Sequence, residues 1–335
     1  MDQNDLFQPM SEDVKDIQQV IPTNDKELFV VVGNSDEEAE QLDATPYSYW
    51  RETFKQLWKK PLCIICIAII ALLIFMAIFG PIMKSYEVIG TNRETFTPYE
   101  GISADHWFGV AGSKMGAYAG EDLWSLVWIG TRLSLVLGTV VALINTFFGI
   151  VIGSLWGYFK WLDPILIELR NFVNNIPSIL LYILLMQFFA PSFWTIVFVL
   201  CMFGWMGLAG FIRNQIIIIR NREYNIASIT LGSSAKAMIT HNLLPYLISV
   251  IVTVVSTAIP GAISSEVGLA YFHLSFRANE VVTLGQVLTL AAQDTAWSTY
   301  PHILIAPLVV MVPLTVCFFY LGLALADATD PKNHR

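Results

Sequence analysis

Six stretches of the chain are each apolar over about twenty residues or more, the length an α-helix needs to cross the hydrocarbon core of a bilayer. They fall at roughly 61–83, 126–157, 165–189, 193–219, 244–264 and 303–326. Backbone in lipid has no water to bond, so every N–H and C=O must be satisfied within the segment. Six such stretches therefore confine the chain to an all-α, polytopic membrane protein. The second, third and fourth are long enough to tilt or to extend beyond the lipid. Only 14% of residues are charged, against about a quarter in soluble domains.

The formal net charge of −8 misdescribes the membrane body. Residues 1–48 hold twelve Asp/Glu against Lys15 and Lys26. Residues 1–47 therefore read as an acidic, disordered cytoplasmic tail. The tail has no basic n-region and no long apolar run, so no cleavable signal is expected.

The basic residues set the orientation. Arg51, Lys55, Lys59 and Lys60 precede the first span, Lys160 and Arg170 flank the second connection, and Arg213, Arg220, Arg222 and Lys236 surround the end of the fourth. Lys332 and Arg335 end the chain, while two longer segments, 84–125 and 265–302, carry Lys84, Arg93, Lys114 and Arg277. Both termini and the connection after the fourth span are expected in the cytoplasm. Within residues 48–60, Trp50, Phe54, Leu57 and Trp58 recur at helical spacing opposite the basic residues. This predicts an elbow helix lying in the membrane interface, in contact with lipid.

Gly149, Gly153 and Gly157 recur every four residues in the second span, and Gly204, Gly207 and Gly210 every three in the fourth. Such spacings let helix backbones approach closely. Pro177 is expected to kink or locally break the third span. Asn171, Asn174 and Asn175 beside it are costly in lipid and should face protein or water, so Asn174 and Asn175 are candidates for lining a pathway, interhelical bonding being the equal alternative. Glu266, His273 and Asp294 follow the fifth span on the outer face, in a solvated or gate-lining role.

The motifs of chemistry are missing. There is no G-x-x-x-x-G-K-[ST] phosphate cradle and no H-E-x-x-H. "GVAGSKMGAYAG" (109–120) lacks the Lys-Ser/Thr ending and reads as a flexible loop. The histidines (His106, His241, His273, His302, His334) are scattered, so no metal site is expected. Cys63 and Cys66 form a C-x-x-C, but inside an apolar run, where they read as space-filling. Nothing indicates an enzyme, and nothing indicates nucleic-acid binding.

The stretch "EYNIASITLGSSAKAMITHNLLP" (223–245) is a polar, small-residue island between two spans. A helix is predicted from Glu223, with Ala227, Thr230 and Leu231 on one face. Gly232 supplies the positive φ that ends a helix cheaply, and Ser233 or Ser234 caps a second short helix through Met238 and Ile239. Pro245 stands where the chain turns into the fifth span. The small side chains make a knob that fits another protein's groove; a plain connecting loop is the alternative.

The island resembles the signature loop of ABC importer membrane subunits: E-A-A, three residues, Gly, nine residues, I-x-L-P. Ile226-Ala227-Ser228 stand at E-A-A, Gly232 follows after three residues, and Asn242-Leu243-Leu244-Pro245 after nine more. Ile226, Ser228 and Asn242 depart from the pattern, while Glu223-Tyr224 resembles the variant of peptide and nickel permeases. "HWFG" (106–109), "GTRLSL" (130–135), "NIPSILL" (175–181), "SSEVGLAYFHLSF" (264–276) and "LADATDPKNHR" (325–335) resemble other segments of that subfamily. The resemblance covers about residues 45–335 and is greatest to the C-type subunit of oligopeptide and dipeptide permeases of Gram-positive bacteria. The outer-loop motif departs, with Val110-Ala111 for Thr-Asp and Gly120-Glu121-Asp122 for Gly-Arg-Asp.

The resemblance implies a type I ABC importer permease fold over 61–335, with cytoplasmic coupling helices near 223–242. It implies a heterodimer with a homologous B-type permease, two cytosolic ATPase subunits carrying ATP and Mg²⁺, an extracellular peptide-binding lipoprotein and a peptide substrate, in a bacterial plasma membrane. Glu223, Tyr224, Ala227, Ser228, Gly232, Ser233 and Pro245 would then couple to the ATPases. No cofactor belongs to this chain itself. Nickel or another small solute is the alternative cargo. An ion-coupled secondary transporter is a separate alternative, but it needs intramembrane charges and inverted repeats that are not evident.

Overall fold

The computed structural model describes residues 49–84, 86–87, 94–274 and 282–329. The acidic tail (1–47) and the last residues (330–335) lie outside them. Helix α1 (Tyr49–Lys59) and helix α2 (Pro61–Met83) are separated by one extended residue, Lys60, and Pro61 sits at the first helical position, where its missing N–H costs nothing. Leu57 packs on Cys63, Ala324 and Ala328, whereas Phe54 and Trp58 point outward. That amphipathic arrangement suits a helix lying on lipid. Cys63 and Cys66 are buried free thiols in this packing, as their apolar setting leads one to expect.

Four further long helices follow: α3 (Leu123–Tyr158), then beyond two shorter ones α6 (Phe193–Arg220), α9 (Ile248–Tyr271) and α11 (His302–Thr329). All four are long and apolar enough to span a bilayer, as is α2. The fifth span begins and ends later than the hydropathy reading placed it, so Glu266 is inside a helix rather than after it.

The third span breaks rather than kinks at Pro177: the chain forms α4 (Asp163–Asn174) and α5 (Ser178–Met186), with an 85° bend between them. Pro177 is not a helix-interior residue but the N-cap of α5, with ψ of 125°. Pro removes the N–H that would bond back into α4, and its ring pushes Ile176 out of helical geometry. Asn174 and Asn175 lie at this corner and are exposed.

The glycine spacing explains why α4 and α5 together cross the membrane. A Cβ on Gly149 would meet Leu208, one on Gly153 would lie 2.6 Å from the Ala209 carbonyl oxygen, and one on Gly157 would meet Ile216 at 2.8 Å. The contacts advance in the same direction along both helices, so α3 and α6 run parallel. The chain joining the end of α3 to the start of α6 must therefore return across the bundle, and the bent pair is a broken span. Six crossings result among the described residues. Of the second glycine series, Gly204 lies against Asn145 and Gly210 against Arg170, but Gly207 faces open space.

At one end of the bundle the loop residues form a folded cap. Residues 109–120 are not a flexible loop: Val110 is fully buried, as are Ala111, Met115 and Tyr118, which pack with Leu123, Val287 and Ile303. Apolar side chains in that segment give it a core, and Gly120 admits the Phe96 backbone, its carbonyl accepting from Phe96 N–H at 2.6 Å. Asp122 caps α3 by accepting from Ser125 N–H (2.9 Å) and pairs with His106 Nδ1 (2.9 Å). An additional helix, α10 (Leu284–Gln293), lies in this cap against α3 and α9.

Pro81, inside α2, lacks the N–H that would bond the Ala77 carbonyl. Arg132 takes up the slack: its Nε donates to Ala77 O (2.9 Å) and an Nη to Ile78 O (3.0 Å), while Trp124 Nε1 donates to Gly80 O (2.8 Å). A freed carbonyl in lipid is costly, and this arginine satisfies two backbone acceptors from the next helix.

Two outcomes follow for stability in detergent, read as thermal unfolding. Arg132→Leu is expected to cost about 1–3 kcal/mol, and less in a Pro81→Ala background, where the helix supplies its own N–H; equal losses in both backgrounds would refute the pairing. Gly153→Leu is expected to separate α3 from α6 at a cost of about 2 kcal/mol, and an unchanged melting temperature would contradict the close approach.

Candidate functional site

The island after α6 folds as two short helical pieces joined at a tight turn. Helix α7 (Glu223–Thr230) begins immediately after Arg222, with Glu223 in its first turn, where a negative charge complements the helix dipole. It ends at Gly232, whose φ is +87°. Gly232 N–H donates to Ile229 O (3.0 Å) and Ser233 N–H to Ser228 O (3.1 Å), the two bonds of a Schellman stop. Helix α8 (Ala235–Ala237) is capped by Ser234 Oγ, which accepts from Ala237 N–H, and runs into a π-turn over Met238–Leu243. In that wider register Leu244 N–H reaches Ile239 O (2.9 Å), and Pro245, without an N–H, ends it before α9.

The island's root is fixed. Ile239, Leu243 and Leu247 are buried against Ile212, Ile216 and Ile219 of α6. Asn225 is fully buried; its Nδ2 donates to Ile219 O (2.9 Å) and its Oδ1 accepts from Asn242 Nδ2 (3.3 Å). One amide thus ties α7 to the last turn of α6 and to the π-turn together. Nothing in the sequence pointed to it, since an Asn in a short surface helix ordinarily reads as solvated. Asn242, a departure from the I-x-L-P pattern, is its partner.

The end of α6 is in turn tied to α3 and α4. Arg220 donates to Tyr158 O (2.6 Å) with its guanidinium over the Tyr158 ring. Arg213 binds Asp163 through Nε (2.8 Å) and an Nη (2.6 Å), and Trp156 Nε1 donates to the same carboxylate (2.8 Å). A bidentate guanidinium–carboxylate pair is geometrically specific as well as attractive, so three helix ends are held as one body.

The island's tip is the reverse: apolar and exposed. Leu231 is 88% exposed, and Tyr224 and Ile226 are about half exposed. Ala227, Gly232, Ser233 and Pro245 are exposed as well, and Ser228 is half-buried with its Oγ turned back to Tyr224 O (3.0 Å). The residues expected from the sequence as one surface, from Glu223 to Ser233, are therefore together; Pro245 is exposed at the foot of α9.

The pathway candidates are not brought together. Asn174 and Asn175 sit at the α4–α5 corner. Glu266 is only 1% exposed, accepting from Thr283 Oγ1 beneath the start of α10, and Asp294 is fully buried, accepting from Tyr99 O–H (2.9 Å). Neither is solvated: the start of α10 covers Glu266, while Asp294, at the end of that helix, is covered by Tyr99 and Gly112. His273 is exposed with φ of +58°, the residue that stops α9, with Leu274 N–H on Leu269 O (3.0 Å).

Comparison with known proteins bears on this arrangement. Residues 149–332 match the family described as binding-protein-dependent transport system inner membrane component, and residues 48–98 match the N-terminal TM domain of oligopeptide transport permease C. The chain is 33% identical to the oligopeptide transport system permease protein AmiD of Streptococcus pneumoniae, covering 93% of this chain and 99% of that protein. It is 30% identical to the dipeptide transport system permease protein DppC of Bacillus subtilis, over 92% of this chain and 94% of the relative. The oligopeptide transport system permease protein OppC of Bacillus subtilis is 28% identical over 92% of this chain and 97% of its own length. The first match alone takes in the island, its root on α6 and the helices to either side, and the chain belongs to the family of binding-protein-dependent transport system inner membrane components.

Proposed function

We propose that this chain is the C-type membrane subunit of an ATP-driven peptide importer, and that the island is where cytosolic ATPases act on it. The observation that carries the reading is the island's two-sided character. Its root is buried and hydrogen-bonded into α6, while its tip presents Leu231, Ile226 and Tyr224 to solvent. An exposed apolar knob on a rigid base has the form of an interface anchor. Force applied at the tip reaches α3, α4 and α6 through Asn225, Arg220 and the Asp163–Arg213 pair without first bending a loop.

In this reading the tip docks in the groove of an ATPase that holds ATP and Mg²⁺, and a homologous B-type permease completes the pathway. An external peptide-binding lipoprotein delivers the substrate to the capped end. The end bearing Arg220, Arg222 and the island is cytoplasmic in this reading, with both chain termini, and the distribution of basic residues supports that orientation. Conformations of the pair differ in their affinity for nucleotide-loaded ATPases, and that difference drives the exchange between them. Peptide is the cargo in this reading because the three relatives named above are oligopeptide or dipeptide permeases.

Extraction in mild detergent is expected to recover the tagged chain with an ATPase and a second permease. A transport-competent homo-oligomer without ATPase would overturn the reading. Gly232→Leu places a side chain at φ of +87° and is expected to leave membrane insertion intact while uncoupling ATP hydrolysis from uptake; normal uptake would remove the island from the mechanism. Asn225→Leu removes the side-chain amide that ties the Ile219 carbonyl to Asn242, leaving that carbonyl only the Arg222 N–H (3.0 Å). It is expected to preserve co-purification of the ATPase but cut uptake per ATP hydrolysed about tenfold, a loss of about 1.4 kcal/mol in coupling; an unchanged ratio would show that the pin transmits nothing.

A further inference from the structure

Arg170, on α4, is half-buried with its guanidinium laid against α6. A Cβ on Gly210 would come within 2.7 Å of an Nη, 2.8 Å of Cζ and 3.0 Å of Nε, so glycine at that position makes the seat. Nε is buried without a hydrogen-bond partner, and no hydrogen bond or ion pair joins Arg170 to any described residue. Asp163, seven residues earlier on α4, has both oxygens taken by Arg213 and Trp156. Glu168, two residues away, leaves α4 on another side and is exposed. An arginine brings a fixed positive charge and five N–H donors. Keeping them inside a bundle without an acceptor is costly, so the acceptor comes from outside the chain.

A lipid phosphate, a carboxylate on a passing solute and a carboxylate on a second protein chain could each supply it. Depth argues against the first. Helix α6 has 28 residues, about 42 Å at 1.5 Å each, the thickness of a bilayer with its headgroup layers. Gly210 stands ten residues before its end at Arg220, which puts the seat about 9 Å inside the hydrocarbon. A guanidinium seated there is not snorkelling toward phosphates. Permanence argues against the second, because a solute in transit leaves the charge uncompensated between passages. A neighbouring chain compensates it throughout.

The adjoining surface fits a protein neighbour. Of the three-residue glycine series on α6, Gly204 receives Asn145 and Gly210 receives Arg170, whereas a Cβ on Gly207 would meet nothing within 4 Å. A glycine left open on a membrane helix lets the backbone of another helix come close. Asn174, one turn beyond Arg170 on the same side of α4, and Asn214, one turn beyond Gly210 on α6, are both exposed. Their amides give the approach a polar rim around the cation.

We infer that the α4–α6 surface at Gly207 and Gly210 is a contact for the second permease subunit, which places a carboxylate on Arg170. This rests on the importer reading, in which a second permease completes the pathway, and adds to it where on this chain the two meet and which charge joins them.

The test uses the assembled transporter in membranes, with a radiolabelled tetrapeptide and ATP present. A photoreactive benzoylphenylalanine at Asn174 leaves Arg170 and Gly210 in place, and it is expected to form an adduct with the second permease. An adduct with peptide or phospholipid but not with the second permease, or no adduct, would overturn the contact. After extraction in mild detergent, Arg170→Gln is expected to lower the second permease recovered with the tagged chain about tenfold, the equivalent of about 1.4 kcal/mol. Arg170→Lys, which keeps the charge, is expected to lose less than threefold. Full recovery with Arg170→Gln would also overturn the contact. Should Arg170→Gln reduce the amount of the chain itself, the adduct at Asn174, measured with Arg170 present, decides. Absence of any second permease beside the unaltered chain would instead refute the importer reading itself.

Discussion

The close parallel approach of α3 and α6 is the contact on which the remaining architecture depends. Gly149, Gly153 and Gly157 bring the two backbones together at positions where a single methyl group would collide. Without apolar solvent exclusion to drive helices together in lipid, such close packing is what holds a membrane bundle. Parallel pairing then dictates that the intervening segment recross the membrane, and the 85° corner at Pro177 is how it does so. It also sets Tyr158 beside Arg220 and Asp163 beside Arg213, so the end of the pair becomes a fixed platform for the island.

The two ends of the molecule solve different problems. At the island end, polar side chains bond to backbone carbonyls at helix termini, leaving apolar residues free on the surface. At the capped end the reverse holds: apolar residues of 109–120 are sealed under α10, and the acidic groups Glu266, Asp122 and Asp294 are buried with hydroxyl, amide or imidazole donors. A rigid cap and a protruding knob are suited to opposite tasks, containment at one face and engagement at the other.

Much of this was legible in the residues. Apolar length located the spans, and Gly232 followed by two serines announced a helix stop and a new cap. The four-residue glycine series marked close packing but not the direction of the partner helix. Other features depend on distant partners and had no local signal. Pro177 predicts a break, but the corner's angle is set by what α4 and α5 pack against. Asn225 is an ordinary polar residue in sequence, and only the Ile219 carbonyl and the Asn242 amide give it a role. Glu266 read as solvated because the ten residues of α10, too short to span a membrane, read as loop. The mistaken flexibility of 109–120 has the same origin: its glycines were visible, but the core they fold around was not.

The central claim is that the island and the α3–α6 pair move as one body. Spin labels at Ser233, on the tip, and Ile218, on the exposed face of α6, measure this directly by double electron–electron resonance in the assembled transporter. The account predicts the same distance distribution without nucleotide and with ATP bound, while a label pair between this subunit and its partner permease shifts. A nucleotide-dependent shift between Ser233 and Ile218 would show that the island flexes on its own, and would contradict the account.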